Sequence, residues 1–189
     1  MRIVTGSLRG RRIPVSTSRQ GDIGVTSSRL KEALFDRLGP SLEGIAFLDL
    51  CAGSGQIALE AYSRGARVTA VEPDRRRREA LRRLMESWGV NHLELLGGRA
   101  QTVMRTLAAE GRRFDVVYLD PPYRALHNGR PLSQVLLAAA GRSGILAGGG
   151  RLLVQHPKSL DLPESPEGLR RVDARRHGTT ELSEYRPPS

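Results

Sequence analysis

The chain has 189 residues, long enough for one complete α/β core but for little beyond it except a small appendage. Its 30 basic and 20 acidic residues give a net charge of +10, nearly all of it from arginine, which favours a polyanionic partner. Cys51 is the only cysteine, which excludes a disulfide framework, and the four histidines lack metal-ligand spacing, which argues against a metal site. No apolar run has the length of a membrane helix or of a signal core, so we expect a cytoplasmic protein.

The first 22 residues are predicted to form a basic β-hairpin that precedes the main domain, residues 23–189. Ile3-Val4 and Ile13-Pro14-Val15 flank a turn-like segment that contains glycine, and residues 1–20 include arginines but no acid. Charge of a single sign favours contacts with RNA phosphates, and a solvated edge hairpin is the alternative. The arginines predicted to bind RNA are Arg2, Arg9, Arg11 and Arg12.

Beyond the hairpin, helices and strands are predicted to alternate. Thr26-Ser27-Ser28 resembles a helix N-cap, and the helix that follows runs to Leu38. Strands are predicted at 46–50, 67–71, 92–96, 114–119 and 151–155, helices at 56–64, 74–88, 100–110 and 132–140, and a strand pair within 169–185. The alternation predicts an α/β fold whose mainly parallel sheet binds ligands at the carboxyl ends of its strands. Arginines 75–78 are interpreted as a solvated helix face, with RNA contact as the alternative.

A glycine-rich turn, Cys51-Ala52-Gly53-Ser54-Gly55, joins the first strand to its helix and lets a ligand approach the backbone closely. Glu72 ends the second strand, where an acid can bond ribose hydroxyls. Gly53-x-Gly55-x-x-Ala58 with Glu72 also fits a dinucleotide-binding fingerprint. The D-x-x-x-G-x-G spacing from Asp49 favours S-adenosylmethionine instead. The turn lacks the residues of a P-loop and of a nucleophile elbow, so both are excluded.

Asp120-Pro121-Pro122-Tyr123 follows an apolar strand and is the most informative motif of the chain. The two prolines remove two N–H donors, which leaves the Asp120 carboxylate and the Pro121 carbonyl as acceptors beside the flat face of Tyr123. This arrangement suits a planar base with an NH2 group, so the motif indicates methyl transfer to an exocyclic amine. A proline-rich turn with a charged lip is the alternative. The loop 124–130 that follows is a candidate lid over the base.

Nearly end to end, the chain is similar to the bacterial methyltransferases that modify the N2 amine of guanine in 16S ribosomal RNA. The resemblance rests on the opening hairpin, the segment Thr26–Phe35, the loop Asp49–Gly55, the helix Leu59–Gly65, the motif Asp120–Tyr123 and the turn His177–Thr180. It implies the class I, Rossmann-like methyltransferase fold, with a seven-stranded sheet, helices on both faces and an N-terminal hairpin. It also implies S-adenosyl-L-methionine as the methyl donor.

The same resemblance implies the site residues and the partner. The catalytic residues would be Asp120, Pro121, Pro122 and Tyr123. The donor-binding residues would be Thr26, Asp49, Cys51, Ala52, Gly53, Gly55, Glu72, Pro73, Arg99 and Ala100. The substrate would be 16S rRNA in the small ribosomal subunit or in a late assembly intermediate. We also expect a monomer that requires neither a metal nor a membrane.

Two positions depart from the family pattern. Gly24-Val25 replace an Arg-Pro pair before Thr26, which predicts a less rigid loop. Arg99 stands where Asp or Asn commonly reaches the adenine amine; because a cation cannot accept that bond, the Ala100 backbone and apolar packing are expected to hold adenine. Three alternatives stay open: a DNA adenine-N6 methyltransferase, a release-factor glutamine methyltransferase, which carries Asn at the position of Asp120, and a non-enzymatic RNA-binding module.

Overall fold

A computed structural model describes residues 1–14 and 28–188. The helices are α1 (Ser28–Leu38), α2 (Gln56–Ser63), α3 (Arg75–Trp88), α4 (Ala100–Ala109) and α5 (Leu132–Ser143). The strands are β1 (Ala46–Asp49), β2 (Arg67–Val71), β3 (Glu94–Leu96), β4 (Phe114–Leu119), β5 (Leu126–His127), β6 (Arg130–Pro131), β7 (Leu146–Pro157), β8 (Arg170–His177) and β9 (Thr180–Arg186). Within the described part of the chain no helix is long and apolar enough to span a membrane.

Seven strands form one sheet in the order β3-β2-β1-β4-β7-β9-β8. The first five run parallel, and β9 lies antiparallel between β7 and β8. The mainly parallel seven-stranded sheet is therefore confirmed. The chain builds outward from β1 to β3 and then returns to place β4 on the other side of β1. Ligands of such sheets bind at this reversal, outside the carboxyl ends of the two central strands.

Helices cover both faces of the sheet, so the central strands are apolar on both sides. Successive residues of a strand point to opposite faces: Phe47 and Val116 belong to one buried cluster, and Leu48 and Val117 to the other. The first cluster takes side chains from the N-terminal hairpin, α1, α2 and α3, and the second takes them from α4 and α5. Helices on both faces are thus confirmed.

Local chemistry sets the ends of α3, the most basic helix. The Asp74 carboxylate accepts a hydrogen bond from the Arg77 N–H at 2.9 Å, which satisfies one of the free donors of the first turn. Gly89 ends the helix with a φ of +68°, a left-handed conformation that glycine adopts without strain. These two residues fix α3 over 14 positions, so its first residue lies close to Glu72 and its last is Trp88.

The structure corrects the starts of two strands and adds one strand pair. The strand predicted from Arg151 begins at Leu146, because a shift in register between Phe114 and Val116 of β4 accommodates the glycines 148–150. The third strand begins at Glu94 rather than His92. Within the segment predicted as a polar loop, β5 and β6 form a short antiparallel pair, because Asn128 and Gly129 both adopt positive φ in the turn.

Within residues 1–14, an antiparallel bridge between Arg2 and Arg12 closes the N-terminal hairpin. Its apolar residues Ile3, Leu8 and Ile13 are buried in the same cluster as α1 and α2. A buried carboxylate of α2, Glu60, accepts hydrogen bonds from the Val4 and Thr5 N–H groups at 2.9 and 3.2 Å. The hairpin is consequently packed as part of the first core, and its four predicted RNA-binding arginines are exposed.

Candidate active site

Three carboxylates lie at the carboxyl ends of adjacent strands. Asp49 is the last residue of β1 and pairs in register with Ala70 of β2 and Tyr118 of β4. Glu72 and Asp120 each lie two residues beyond those partners. Asp49 and Glu72 are buried, and Asp120 is half-buried. The sheet therefore brings the three acids predicted from the sequence to one edge.

The glycine-rich turn is held by backbone bonds to both neighbouring strands. The Leu50 N–H donates to the Tyr118 carbonyl, and the Ala52 N–H donates to the Val71 carbonyl, each at 3.0 Å. Gly55 then starts α2 with a φ of +80°, and a Cβ there would lie 2.5 Å from Leu81 Cδ1. Glycine is required at position 55 by its conformation, and the close packing of α3 reinforces that requirement.

Glu72 fastens this turn to the end of β2. Its two carboxylate oxygens accept hydrogen bonds from the Gly53 and Asp74 N–H groups at 2.8 and 2.9 Å. A carboxylate has about four acceptor positions, so two remain for a ligand such as a ribose diol. Burial raises the pKa of Glu72, against the opposing effect of these two bonds.

Among the acids of the site, Asp49 has the pKa that is shifted most. Its carboxylate accepts a hydrogen bond from the Cys51 N–H at 3.2 Å, and burial raises its pKa to about 7. Burial and the nearby Asp49 charge also raise the pKa of the Cys51 thiol, so Cys51 is a packed thiol rather than a nucleophile. Two buried carboxylates that form no ion pair with a described residue fit a positively charged ligand, and S-adenosylmethionine carries both a sulfonium and an ammonium.

Three of the residues predicted to bind the donor lie beyond the ends of β2 and β3. Pro73 is exposed next to Glu72, Arg99 is an exposed N-cap without a side-chain capping bond, and Ala100 is buried at the start of α4. Arg78 Nη1 donates to the carbonyls of Glu72 and Pro73 at 2.9 and 3.0 Å. The Arg78 guanidinium also lies against Gly97, where a Cβ would be 2.8 Å from its Cζ. Arg78 thus links the loop after β2 to the loop after β3. The run of arginines 75–78 in the sequence did not reveal this role.

Tyr123 is held by a chain of hydroxyl and amide groups. Its hydroxyl lies 2.9 Å from Thr180 Oγ1 and accepts a hydrogen bond from Gln155 Nε2 at 3.1 Å. The Gln155 Oε1 in turn accepts from the Tyr118 hydroxyl at 2.6 Å. Burial raises the pKa of the Tyr123 phenol, so the ring stays neutral. Tyr123 as a whole is 37% exposed, and its ring has a fixed orientation beside Asp120 and the buried Pro121.

Sequence reasoning missed Gln155 and Thr180 as supports of this ring. Thr180 stands in the His177-Gly178-Thr179-Thr180 turn, which gave a signal of family resemblance but no role. Thr26 and the Gly24-Val25 departure lie outside the described residues. No group of three or more His, Cys, Asp or Glu side chains within residues 1–14 and 28–188 could hold a metal ion.

Comparison with known proteins agrees with this geometry. The profile of the family described as Conserved hypothetical protein 95 matches residues 1–186. Ribosomal RNA small subunit methyltransferase D of Escherichia coli K12 is 31% identical over 167 residues, covering 88% of this chain and 79% of that protein. A hypothetical protein of Thermus thermophilus superimposes with a TM-score of 0.80 at 29% identity, covering 97% and 98% of the two chains. TrmN of the same species gives a TM-score of 0.63 at 25% identity, over 84% of this chain and 48% of that one.

Fold, site and relatives define a class I methyltransferase, an enzyme whose methyl donor is S-adenosylmethionine. Within that class the family follows from the profile match along nearly the whole chain. The chain belongs to the Conserved hypothetical protein 95 family, the rRNA methyltransferases of the methyltransferase D type.

Proposed function

We propose that the protein transfers a methyl group to the exocyclic N2 amine of a guanine in 16S rRNA, within the small ribosomal subunit or a late assembly intermediate. The proposal rests on one observation: two hydrogen-bond acceptors lie beside an aromatic ring whose orientation is fixed. Asp120 and the Pro121 carbonyl follow β4 directly, and hydrogen bonds from two other strands orient Tyr123 beside them.

The donor is assigned to the turn between β1 and α2. Glu72 would accept hydrogen bonds from the ribose hydroxyls, because its carboxylate faces the turn and retains acceptor capacity. Asp49 and the backbone of Cys51–Gly55 would lie under the amino-acid part. Pro73 and Ala100 would pack against adenine, with Arg99 near its edge, and Thr26 enters by resemblance alone. When bound, S-adenosylmethionine supplies an activated methyl group with a neutral sulfide as leaving group.

The protein's contribution to the reaction is the orientation of the amine. An exocyclic amine is a poor nucleophile because its lone pair is delocalised into the ring. Asp120 and the Pro121 carbonyl would each accept one N–H bond, which frees the lone pair for in-line attack. Charge becomes less concentrated during such a transfer, so positioning should contribute more than electrostatic stabilisation. Methyl transfer converts the amine nitrogen of the base into an ammonium, which is acidic. A strong base is therefore not needed to remove its proton.

Tyr123 would stack on the target base, an interaction worth about 1–3 kcal/mol. A paired guanine must first leave its own stack, and a ring held by Thr180 and Gln155 offers a preformed surface for it. The β5–β6 pair begins three residues after Tyr123, and the loop 124–130, which contains most of the pair, is a candidate lid over the base.

The net charge of +10 and the rRNA relatives support an RNA substrate. We assign the opening arginines, Arg2, Arg9, Arg11 and Arg12, to phosphate contacts, with residues 1–22 as a basic extension of the catalytic domain 23–189. Ribosomal subunits are assembled in the cytoplasm of bacteria, so we place the reaction there. We further propose that the protein acts as a monomer and without a metal.

The test is the chemical identity of the product. Small ribosomal subunits from a strain without the modification are incubated with enzyme and labelled S-adenosylmethionine, and the RNA is digested to nucleosides. We expect N2-methylguanosine. A methyl group on a ring carbon or a ribose oxygen would contradict the amine mechanism. In a parallel incubation with duplex DNA, N6-methyladenine would support the DNA alternative. A non-enzymatic RNA-binding module predicts no donor affinity.

A further inference from the structure

The predicted RNA-binding hairpin lies at the wrong end of the sheet to reach the target base alone. The Ser7 N–H donates to the Ser63 carbonyl and the Leu8 N–H donates to Ser63 Oγ, both at 2.9 Å. Ser63 is the last residue of α2, which starts at the donor site and runs back to the amino ends of the strands. The hairpin tip, with Arg9, is therefore separated from Asp120 by the length of the sheet.

Helix α3 covers that distance. It begins three residues beyond Glu72, at the donor site, and ends at Trp88, a length of about 21 Å at about 1.5 Å per residue. At its far end the Arg11 guanidinium of the hairpin lies over the Trp88 ring, 5.5 Å from its centroid. The cation–π contact joins the hairpin to α3, so the two elements form one continuous surface.

The exposed face of α3 carries arginines from its first residue, Arg75, to Arg83. Four exposed arginines, which we call the arginine track, occur in two pairs seven residues apart, so that both pairs lie on the same face: Arg75, Arg76, Arg82 and Arg83. Arg75 pairs with Glu79 at 2.8 Å, whereas Arg76, Arg82 and Arg83 form no ion pair with a described residue. Glu79 and Glu86 are the acids of the helix itself, so the track keeps a net positive charge.

We propose that the arginine track binds the sugar–phosphate backbone of the RNA and connects the hairpin to the catalytic edge. The inference rests on the proposed RNA substrate and extends its binding surface. Phosphates would follow the track from Arg11 to Arg75, independent of base sequence, while Tyr123 and Asp120 receive the target base. Positive charge thus lies along the hairpin and along α3, the helix that flanks the donor site. The RNA backbone would contact both elements, on either side of their junction at Trp88.

The test compares two double variants that remove the same charge. Arg76→Ala with Arg83→Ala removes two exposed arginines of the track; Arg105→Ala with Arg142→Ala removes two exposed arginines of α4 and α5, on the other face of the sheet. Binding to unmodified small ribosomal subunits is measured across a series of salt concentrations. We expect the slope of log affinity against log salt to fall by about 1.5 for the track variant, close to 0.7–0.9 per lost phosphate contact.

Affinity for S-adenosylmethionine should stay unchanged in both variants, because none of these side chains contacts the donor site. The proposal is overturned if the salt slope of the track variant equals that of wild type. It is also overturned if the control variant loses as much slope as the track variant. These results leave the proposed function standing as long as the wild-type protein methylates the subunit. If the wild-type protein neither binds nor methylates it, both proposals fail together.

Discussion

The hydroxyl groups of Tyr123 and Thr180 lie 2.9 Å apart, although 57 positions separate the two residues in the chain. The contact joins the loop after β4 to the first residue of β9. Gln155 of β7 completes the attachment. The aromatic face assigned to the target base is thus oriented by three strands of the sheet.

Removing the Thr180 hydroxyl should lower turnover by loosening this ring. For Thr180→Val we expect kcat/KM to fall about fivefold to tenfold, the loss of one net hydrogen bond of about 1 kcal/mol. Tyr123→Phe should behave similarly because its ring face survives, and Tyr123→Ala should lose more. Thr179→Val, at the exposed neighbouring position, is the matched control. Full activity of Thr180→Val would remove the contact from the mechanism.

Asp120→Ala should abolish most turnover while leaving donor affinity within about threefold, because the lost bond to the amine matters chiefly in the transition state. Single-turnover methylation of the small subunit and calorimetry with S-adenosylmethionine measure the two effects separately. A variant that keeps near-normal turnover would exclude Asp120 as an acceptor for the target amine.

Glu72→Ala should weaken donor binding by about 1–3 kcal/mol, or roughly 5- to 150-fold in Kd. The variant loses both the ribose contact and the two bonds that hold the Gly53 and Asp74 N–H groups. Calorimetry with S-adenosylmethionine measures the change, and Glu79→Ala, on the exposed face of α3, serves as control. Equal affinities of Glu72→Ala and wild type would place the ribose elsewhere.

The raised pKa of Asp49 predicts how stability changes with pH. Its folded value of about 7 exceeds the ordinary value of 3.8, so between them the folded state binds more protons than the unfolded state. Stability contributed by Asp49 therefore falls as pH rises through this window. Asp49→Asn should raise Tm relative to wild type, and by considerably more at pH 8 than at pH 5.

Glu72, whose pKa burial also raises, changes stability in the same sense as Asp49 but is present in both proteins. Glu94, Asp173 and Glu184 have lowered pKa values and are ionised in both states above about pH 5. Burial lowers the pKa of His156, which acts in the opposite sense, but equally in both proteins. A pH dependence of Tm that is identical in wild type and Asp49→Asn would contradict the assignment.

The buried pair of Lys31 and Glu60, 2.9 Å apart, should make a large and asymmetric contribution to stability. Glu60→Ala leaves the Lys31 ammonium buried without its carboxylate and frees two hairpin N–H groups, so we expect a loss of about 3–5 kcal/mol. Lys31→Met should be less costly, because Arg64 and the hairpin amides still satisfy Glu60.

Chemical denaturation measures the stability of both variants, and hydrogen exchange of residues 3–13 reports on hairpin docking. Arg142→Ala breaks an exposed pair with Glu167 and should change stability by less than about 1 kcal/mol. The prediction fails if Lys31→Met proves as destabilising as Glu60→Ala.

The sequence was sufficient for features that depend on neighbouring residues. Apolar runs followed by acids predicted where Asp49, Glu72 and Asp120 fall in the sheet, because a parallel strand order brings its carboxyl ends together. Asn128-Gly129 was an available hairpin signal that the polar-loop prediction overlooked. Contacts between distant segments could not be predicted: Arg78 over Gly97, Thr180 against Tyr123 and Arg11 over Trp88 depend on how whole elements pack.

The position of β9 determines when the catalytic loop can become ordered during synthesis. β8 leaves the ribosome before β9, yet β9 lies between it and the rest of the sheet. β8 consequently has no partner strand, and β7 keeps an open edge, until β9 has been made and inserted. Thr180 is the first residue of β9. A nascent chain that stops before it contains the complete Asp120–Tyr123 motif but holds the Tyr123 ring by Gln155 alone, so full orientation of the ring is a late event in folding.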